Sequence, residues 1–166
     1  MAVGPLAKVK YYPIAGFQLG TTEASIKTPG RKDLVVMQAQ AGSSMAGVFT
    51  ANAFCAAPVH LCRRHLQDDS PLALVINTGN ANAGTGETGD ADALTSCDEL
   101  AKALNLTSSQ VLPFSTGVIG EKLPIEKIVT NLPRAISKLD VNGWEDASWG
   151  ILTTDTRTKG ASVQIE

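Results

Sequence analysis

The sequence predicts an α/β fold, and three observations carry that prediction. Two apolar runs, Leu72–Ile76 and Val111–Phe114, have the length and the bounding residues of buried strands. Between them, Asp90–Leu104 repeats apolar residues at helical spacing and begins with aspartates that suit a helix N-terminus. The front of the chain is rich in strand-like segments, whereas the rear mixes strands with helices. At 166 residues, the chain fits one domain with a sizeable core.

Four strands are predicted before residue 62. Gly16–Gly20 alternates in hydrophobicity between bounding glycines, and Lys32–Gln40 alternates over a longer stretch. Two shorter apolar runs, Ala46–Thr50 and Ala57–Leu61, complete the set. These segments make the front of the chain β-rich.

Three further helices are predicted in the rear half. One opens at Pro124, since proline suits the first position of a helix. Pro133 is expected to break this helix, because an internal proline removes a hydrogen bond, and a restart is expected over Arg134–Leu139. Trp144–Ile151 is predicted to be a short helix capped by Asn142.

The last segments are again strand-like. Thr153–Thr156 is predicted to be a strand, and Val163–Ile165 has the composition of the middle of a strand rather than of a frayed terminus. We therefore expect the polypeptide to continue, or to be completed by another chain.

Charge and composition exclude several classes of function. A net charge of −2 with 18% charged residues predicts no surface for nucleic acid. No apolar stretch approaches the roughly 20 residues that cross a bilayer, and the N-terminal segment lacks the continuous apolar core of a secretion signal. The three cysteines make no disulfide framework. We therefore expect a cytoplasmic protein without nucleic-acid or membrane partners.

Two familiar site patterns are present only in part. Gly84–Gly89 matches the glycine pattern of a dinucleotide-binding loop, but Asn77–Ala83 separate it from the preceding strand, where that loop needs a tight turn. The second pattern is a crowded set of potential zinc ligands whose spacing departs from that of paired ligands: Cys55, His60, Cys62 and His65. We predict no cofactor and no metal site.

Three apolar runs end alike, in glycine or in small hydroxyl residues: Leu72–Gly89, Val111–Gly120 and Gly150–Gly160. Bare backbone beside a core strand indicates that something approaches it closely, so we expect these ends to build one polar pocket. Thr116 and Gly117 would place a hydroxyl and an amide donor at nearly one point, as acyl transfer requires opposite its oxyanion. Taken alone, this pair is better explained as a plain strand-to-loop turn.

Together these segments resemble the ornithine acetyltransferase family, the bifunctional glutamate N-acetyltransferases of arginine biosynthesis. The combination of N-T-G-N-A-N-A, S-T-G-V-I-G and T-T-D-T is highly specific, although each motif alone is weak. The similar stretches follow the family's order and cover most of the chain: Gly47–Leu66, Leu72–Gly89, Ser115–Ile128 and Gly150–Ala161.

The resemblance implies a layered α/β sandwich, of the type shared with some self-processing aminopeptidases, and a precursor that cuts itself into an α and a β chain. It implies acetyl transfer from N-acetylornithine to glutamate through an acetyl-threonine at the N-terminus of β, in an α2β2 assembly. The α-amine of that threonine, with an unperturbed pKa of about 8, would be the local base.

The resemblance also implies roles for particular residues. Thr116 and Gly117 match the family's oxyanion pair, and Thr153 matches a substrate-binding threonine, with Thr154 and Asp155 as neighbours. The family segments that carry the nucleophile and a substrate-binding lysine, N-M-A-T and K-G-A-G-M, are absent.

Residues 1–166 are therefore expected to form a single α-chain domain, the N-terminal half of the fold, which stops short of the cleavage point and is inactive without a separate β chain. Use of acetyl-CoA as a second donor stays open. So do two other functions, the α chain of an N-terminal-nucleophile aminopeptidase and a non-catalytic glycine-rich binding module.

Overall fold

The structure, a computed structural model, describes residues 9–165. The predicted α/β class is confirmed, because strands and helices are interspersed along the described chain. A short 3-10 turn, Ser108–Gln110, precedes the last strand. In chain order the elements are β1 (Phe17–Thr22), β2 (Leu34–Ala39), α1 (Ala57–Asp68), β3 (Ala73–Asn80), α2 (Gly86–Leu104), β4 (Val111–Val118), α3 (Ile125–Ile136) and α4 (Trp144–Gly150).

The four strands form one sheet in the order β1-β2-β3-β4. The first three are antiparallel neighbours, whereas β3 and β4 run parallel and are connected through α2. Parallel pairing brings the carboxyl ends of β3 and β4 to the same edge of the sheet, where Thr78 lies opposite Thr116 and Gly79 opposite Gly117. Because β2 is antiparallel to β3, the start of β2 lies at that edge as well.

Helices cover the two faces of the sheet unequally. The main core lies on one face, where Leu34 and Val75 pack with residues of α2 and α3 such as Leu100 and Leu132. On the other face α4 packs mainly on β1 and β2, around Val35. The β3–β4 half of that face is open, and Phe114 is 41% exposed. Within the described residues, no helix has the length and apolarity needed to cross a bilayer.

Helix α1 replaces the strand predicted over Ala57–Leu61. Pro58 lies in its first turn, and its buried residues recur at helical spacing down to Cys62 and His65. The helix lies along β4, where His65 Nδ1 is 2.7 Å from the carbonyl oxygen of Val111 and Cys62 Sγ donates to that of Pro113. The strand prediction was wrong because it used only the first five residues of a longer 3.6-residue pattern.

The strand predicted over Ala46–Thr50 is also absent. This segment has no regular structure, and Val48 is 100% exposed. A strand needs a free sheet edge to pair with, and the edge of β4 that faces this part of the chain is occupied by α1.

Pro133 does not break α3, which runs without interruption from Ile125 to Ile136. The predicted restart at residue 134 was therefore wrong. Pro133 is exposed, while Ile128, Leu132 and Ala135 form one buried stripe. Burial of that stripe offsets the single backbone hydrogen bond that the proline removes.

Helix α4 is not capped by Asn142 as predicted. The N-cap is Gly143 and makes no side-chain cap hydrogen bond, while the Asn142 amide itself donates to Asp140 Oδ1 at 2.6 Å. A Cβ at residue 143 would lie 2.2 Å from the carbonyl oxygen of Leu19, so the chain enters this helix through a glycine held against β1.

Neither of the two late strands forms in the described chain. Residues 153–156 adopt bends, because the carbonyl groups before them bind individual side chains instead of a sheet ladder: Gly150 accepts from Thr78, and Leu152 accepts from Arg31. Val163 and Ile165 are 80% and 91% exposed and pair with no strand among residues 9–165.

Candidate functional site

A cavity of about 480 Å³ lies at the sheet edge where β3 and β4 end. Its wall is polar and combines hydroxyl groups, bare backbone and two cationic side chains. The residues that line it are Lys27, Thr28, Arg31, Asp33, Thr78, Gly79, Thr116, Gly117, Val118, Thr153 and Thr154. The cavity thus brings together the ends of the three apolar runs from which one polar pocket was predicted.

The backbones of β3 and β4 approach each other closely at the floor of this cavity. Gly79 and Gly117 have φ angles of +104° and +140°. A Cβ at residue 117 would lie 2.3 Å from the carbonyl carbon of Gly79. Both positions favour glycine because of their positive φ angles. At residue 117, any side chain would also overlap the neighbouring strand. The result is an exposed stretch of main chain beside Thr116.

The Thr116 hydroxyl is one of the polar groups at this edge that make no hydrogen bond within the described chain. Its neighbours are occupied: Ser115 Oγ donates to Asn77 Oδ1 at 2.5 Å, and Thr78 Oγ1 donates to the Gly150 carbonyl at 3.1 Å. By contrast, the half-buried Thr116 side chain makes no hydrogen bond to any described residue. A free hydroxyl beside exposed backbone can donate to a ligand in the cavity.

Thr153 and Thr154 reach the cavity from the segment after α4. Two anchors before them, from Thr78 to Gly150 and from Arg31 to Leu152, hold this segment against the sheet edge. Of the predicted site residues, the structure therefore brings Thr116, Gly117, Thr153 and Thr154 together.

Asp155 is the exception among the predicted site residues. It does not line the cavity, and its Oδ1 lies 2.8 Å from Lys159 Nζ. The hydrogen bond and the charge of Lys159 lower the pKa of this carboxyl group. A substrate-binding role for Asp155 stays a prediction.

Four cavity residues escaped the sequence analysis: Lys27, Thr28, Arg31 and Asp33. They lie in the connection between β1 and β2, residues 23–33, which the antiparallel pairing carries to the carboxyl ends of β3 and β4. Two isolated basic residues beside a Pro-Gly turn have no sequence signal that separates them from an ordinary solvated turn.

The glycine-rich loop after β3 is committed mainly to structure. Asn80 Nδ2 donates to the carbonyl groups of Glu121 and Lys122, each at 3.1 Å. Asn82 is fully buried, and its Nδ2 donates to the Gly89 carbonyl at 2.8 Å. The loop therefore joins β3, α2 and the segment after β4, and it does not line the cavity, which β3 reaches through Thr78 and Gly79.

The cysteines and histidines near α1 do not converge on a metal site. His65 Nδ1 and Cys62 Sγ contact carbonyl groups of β4. Burial raises the pKa of the Cys62 thiol to about 12, so a metal-binding thiolate is disfavoured there. Among residues 9–165, no group of three or more His, Cys, Asp or Glu side chains is arranged to hold a metal ion.

A second concave surface, the apolar groove, meets the cavity at Thr116. It has a volume of about 580 Å³ and lies on the open half of the sheet. Loop residues 48–50, one side of α1 and the exposed ring of Phe114 form its walls. The groove is lined by Met37, Val48, Phe49, Thr50, Ala56, Pro58, Val59, Cys62, Ile76, Pro113, Phe114, Ser115, Thr116 and Ile151.

Comparison with known proteins identifies the family. A model described as the ArgJ family matches residues 18–166. The chain belongs to the ArgJ family. The resemblance to ornithine acetyltransferases in the sequence is thereby confirmed.

Relatives of this ArgJ-family chain are named arginine biosynthesis bifunctional protein ArgJ. The one from Pseudomonas fluorescens (strain Pf0-1) is 53% identical over 166 residues, which are 100% of this chain and 40% of the relative. The one from Methylococcus capsulatus is 49% identical over 170 residues, with 100% and 41% covered. The chain thus spans about two fifths of the length of these curated relatives.

Two solved structures have the same fold. The crystal structure of the ArgJ protein from Bacillus halodurans superposes with a TM-score of 0.80 at 32% identity, covering 86% of this chain and 75% of that one. Ornithine acetyltransferase from Mycobacterium tuberculosis, crystallised in complex with ornithine, gives a TM-score of 0.82 at 33% identity and covers 87% and 79%. Most of this chain therefore has the fold of the corresponding part of these two proteins.

Proposed function

We propose that this ArgJ-family chain is the α portion of a cytoplasmic glutamate N-acetyltransferase, which moves an acetyl group from N2-acetyl-L-ornithine to L-glutamate. The observation that carries the proposal is the convergence of Thr116 and Gly117 with Thr153 and Thr154 on one cavity. The names of its relatives, arginine biosynthesis bifunctional protein ArgJ, support a role in arginine biosynthesis.

Thr116 and Gly117 would stabilise the tetrahedral intermediate of acetyl transfer. A nucleophilic oxygen attacks the acetyl carbonyl carbon, and the carbonyl oxygen takes up the electron pair of the broken π bond. The Thr116 hydroxyl and the Gly117 amide would donate to this oxyanion in a site partly shielded from water, where such donors are most effective. Collapse of the intermediate breaks the bond between the acetyl carbon and the ornithine nitrogen, which takes up the proton released by the nucleophile, and leaves the acetyl group on the nucleophile. The glutamate amine then attacks this ester, takes the acetyl group and returns a proton to the nucleophile.

The nucleophile and its base lie outside this chain in the proposal, on a threonine that begins a β chain. Thr116 lies at the boundary between the cavity and the apolar groove, so a segment that fills the groove would pass directly beside the Thr116 hydroxyl. Thr153 and Thr154 would bind the amino-acid part of the substrate from the opposite wall, with Asp155 behind them. We propose an α2β2 assembly in which neither chain is active alone.

An assay on the full-length protein tests this function. Purified protein would be incubated with N-acetylornithine labelled in its acetyl group and with glutamate, and labelled N-acetylglutamate would be measured. A parallel incubation with peptide substrates would measure release of N-terminal amino acids. We expect acetyl transfer without peptidase activity. Peptidase activity without acetyl transfer would replace the proposal with the aminopeptidase alternative, and the absence of both would favour a binding module.

A further inference from the structure

Two cationic side chains on the cavity wall have no acidic partner in the part of the chain that the structure describes. Lys27 and Arg31 both line the cavity, yet neither forms an ion pair with a carboxylate among residues 9–165. The adjacent Lys32 behaves differently, since its ammonium group pairs with Asp146 away from the cavity. The wall formed by the β1–β2 connection therefore carries uncompensated positive charge.

The one carboxylate on the same wall is already satisfied. Asp33 is 2% exposed, and its two oxygens accept the amide hydrogens of Ala24 and Ile26, each at 2.6 Å. These bonds fix the backbone immediately before Lys27. Asp33 thus positions the loop, and its own charge is directed into hydrogen bonds with the main chain rather than toward the lysine.

The stem of Lys27 lies beside the exposed main chain of the cavity floor. A Cβ built at Gly79 would come within 2.8 Å of the Lys27 Cβ. Gly79 in turn is the register partner of Gly117. The flexible remainder of the lysine side chain starts next to the proposed oxyanion pair and is exposed, so its ammonium group is free to reach a ligand in the cavity.

Arg31 approaches the same space from the side of Thr153. One nitrogen of its guanidinium group donates to the carbonyl of Leu152, the residue before Thr153. That is the only side-chain hydrogen bond it makes within the described part of the chain. A guanidinium group has five N–H donors in a planar fork, so donors remain for a carboxylate.

We propose that Lys27 and Arg31 form a carboxylate subsite, which binds the α-carboxylate of the amino-acid substrate and orients its acyl-bearing end toward Thr116 and Gly117. The inference rests on the proposed function for the identity of the substrate. Both N-acetylornithine and glutamate carry an α-carboxylate, so one cationic subsite would serve donor and acceptor in turn. Lys27 contributes a mobile point charge, and Arg31 contributes a fixed fork next to the threonines.

Kinetics of the full-length enzyme with Lys27→Met test the subsite. Methionine keeps an apolar stem and removes the charge, and the position is exposed, so folding should be retained. We expect KM for N-acetylornithine to rise about 10- to 100-fold, as for loss of a charge-assisted contact, with kcat little changed. Lys27→Arg should restore most of the affinity. Lys32→Met, five residues along the chain and outside the cavity, should leave KM unchanged.

A substrate analogue separates a carboxylate contact from a general effect. With N-acetylornithine amide, which lacks the negative charge, the wild-type enzyme and Lys27→Met should have nearly equal KM values. An equal rise in KM for acid and amide would overturn the subsite, because Lys27 would then act only on the shape of the cavity.

Direct measurement of ligand binding tests the subsite independently of catalysis. Titration calorimetry of the wild-type protein with N-acetylornithine and with glutamate should detect binding that Lys27→Met weakens and Lys32→Met does not. If the wild type binds these ligands but transfers no acetyl group, the proposed function fails while the subsite stands. If binding is the same in the wild type and in Lys27→Met, or if the wild type binds neither ligand, the subsite is overturned.

Discussion

The hydroxyl of Thr116 differs from those of its neighbours Ser115 and Thr78, which are hydrogen-bonded within the chain, because it makes no hydrogen bond to any described residue. A donor kept free in the ground state is available when charge develops on a substrate oxygen. We therefore expect Thr116→Ala to lower kcat of the full-length enzyme by about 10²- to 10³-fold with little change in KM.

Two variants control for this prediction. Thr116→Ser keeps the hydroxyl and should retain most of the activity. Ser115→Ala removes the adjacent hydroxyl, which is bonded to Asn77, and should affect kcat far less than Thr116→Ala. Steady-state kinetics measures all three. Equal losses in turnover and in substrate binding would remove Thr116 from the oxyanion role.

Gly117 and Gly120 both have positive φ angles but differ in their surroundings. A Cβ at residue 117 would overlap the β3 main chain, whereas a Cβ at residue 120 would meet nothing within 4 Å. We expect Gly117→Ala to lower the free energy of unfolding by about 2–5 kcal/mol, from strain plus overlap, and Gly120→Ala by only about 1–2 kcal/mol. Urea unfolding of the two variants measures the difference. Equal losses would mean that the close approach of β3 and β4 is unimportant.

At the scale of elements, α1 and β4 depend on each other. The carbonyl groups of β4 that point away from the sheet find donors on α1, and one of them is the Cys62 thiol, 3.2 Å from the Pro113 oxygen. Only the protonated thiol can donate, and burial raises its pKa from an ordinary 9.0 to about 12. Because the folded pKa is the higher one, this contribution to stability is complete below about pH 9 and is lost as the pH rises toward about 12.

The raised pKa predicts that Cys62 resists alkylation. At pH 8 the thiolate fraction of Cys62 would be about 1,000-fold lower in the folded chain than in the unfolded chain. We expect iodoacetamide to leave Cys62 unmodified in the native protein and to modify it in urea, as mass spectrometry of peptides would measure. Cys55, which is less buried, is the internal control and should react in both states. Rapid native alkylation of Cys62 would contradict the packing of α1 on β4.

Helices α1 and α3 indicate what sequence patterns leave undecided. Five residues, Ala57–Leu61, fit a strand as well as a helix, and only the continuation to Cys62 and His65 settles the period. In α3 the local rule for Pro133 was overruled by tertiary packing of the stripe that includes Leu132. By contrast, β3, β4 and α2 were predictable in type, because each is long or strongly apolar and its pattern has one interpretation.

At the scale of the whole molecule, the candidate site also contains residues that could be predicted from the sequence and residues that could not. The ends of β3 and β4 were predictable partners, because successive parallel strands end at one edge. Lys27 and Arg31 were not predictable, because only the antiparallel pairing of β1 and β2 carries their loop to that edge. Site residues that come from distant segments can be grouped only when the strand register of the sheet is known.

The apolar groove is a feature of the molecule whose role the structure of one chain does not explain. Phe114 and Val48 are 41% and 100% exposed, and an apolar concavity of this kind is typical of surfaces that bind a protein partner or an apolar ligand. In the proposed assembly the β portion fills the groove and passes Thr116. An aspartate placed in the groove would then be buried without a partner on assembly, whereas it would be solvated in the isolated chain.

We therefore expect Val48→Asp and Phe114→Asp to weaken association of residues 1–166 with the remainder of the full-length protein, co-expressed as a separate chain, by about tenfold or more. Leu94→Asp is the matched control, since Leu94 is 36% exposed on α2, outside the groove, and should leave co-purification unchanged. Val48 is fully exposed, so its substitution cannot act through the stability of the isolated chain. Unchanged co-purification of Val48→Asp and Phe114→Asp would mean that the β portion binds elsewhere, and that the nucleophile reaches Thr116 by a route other than the groove.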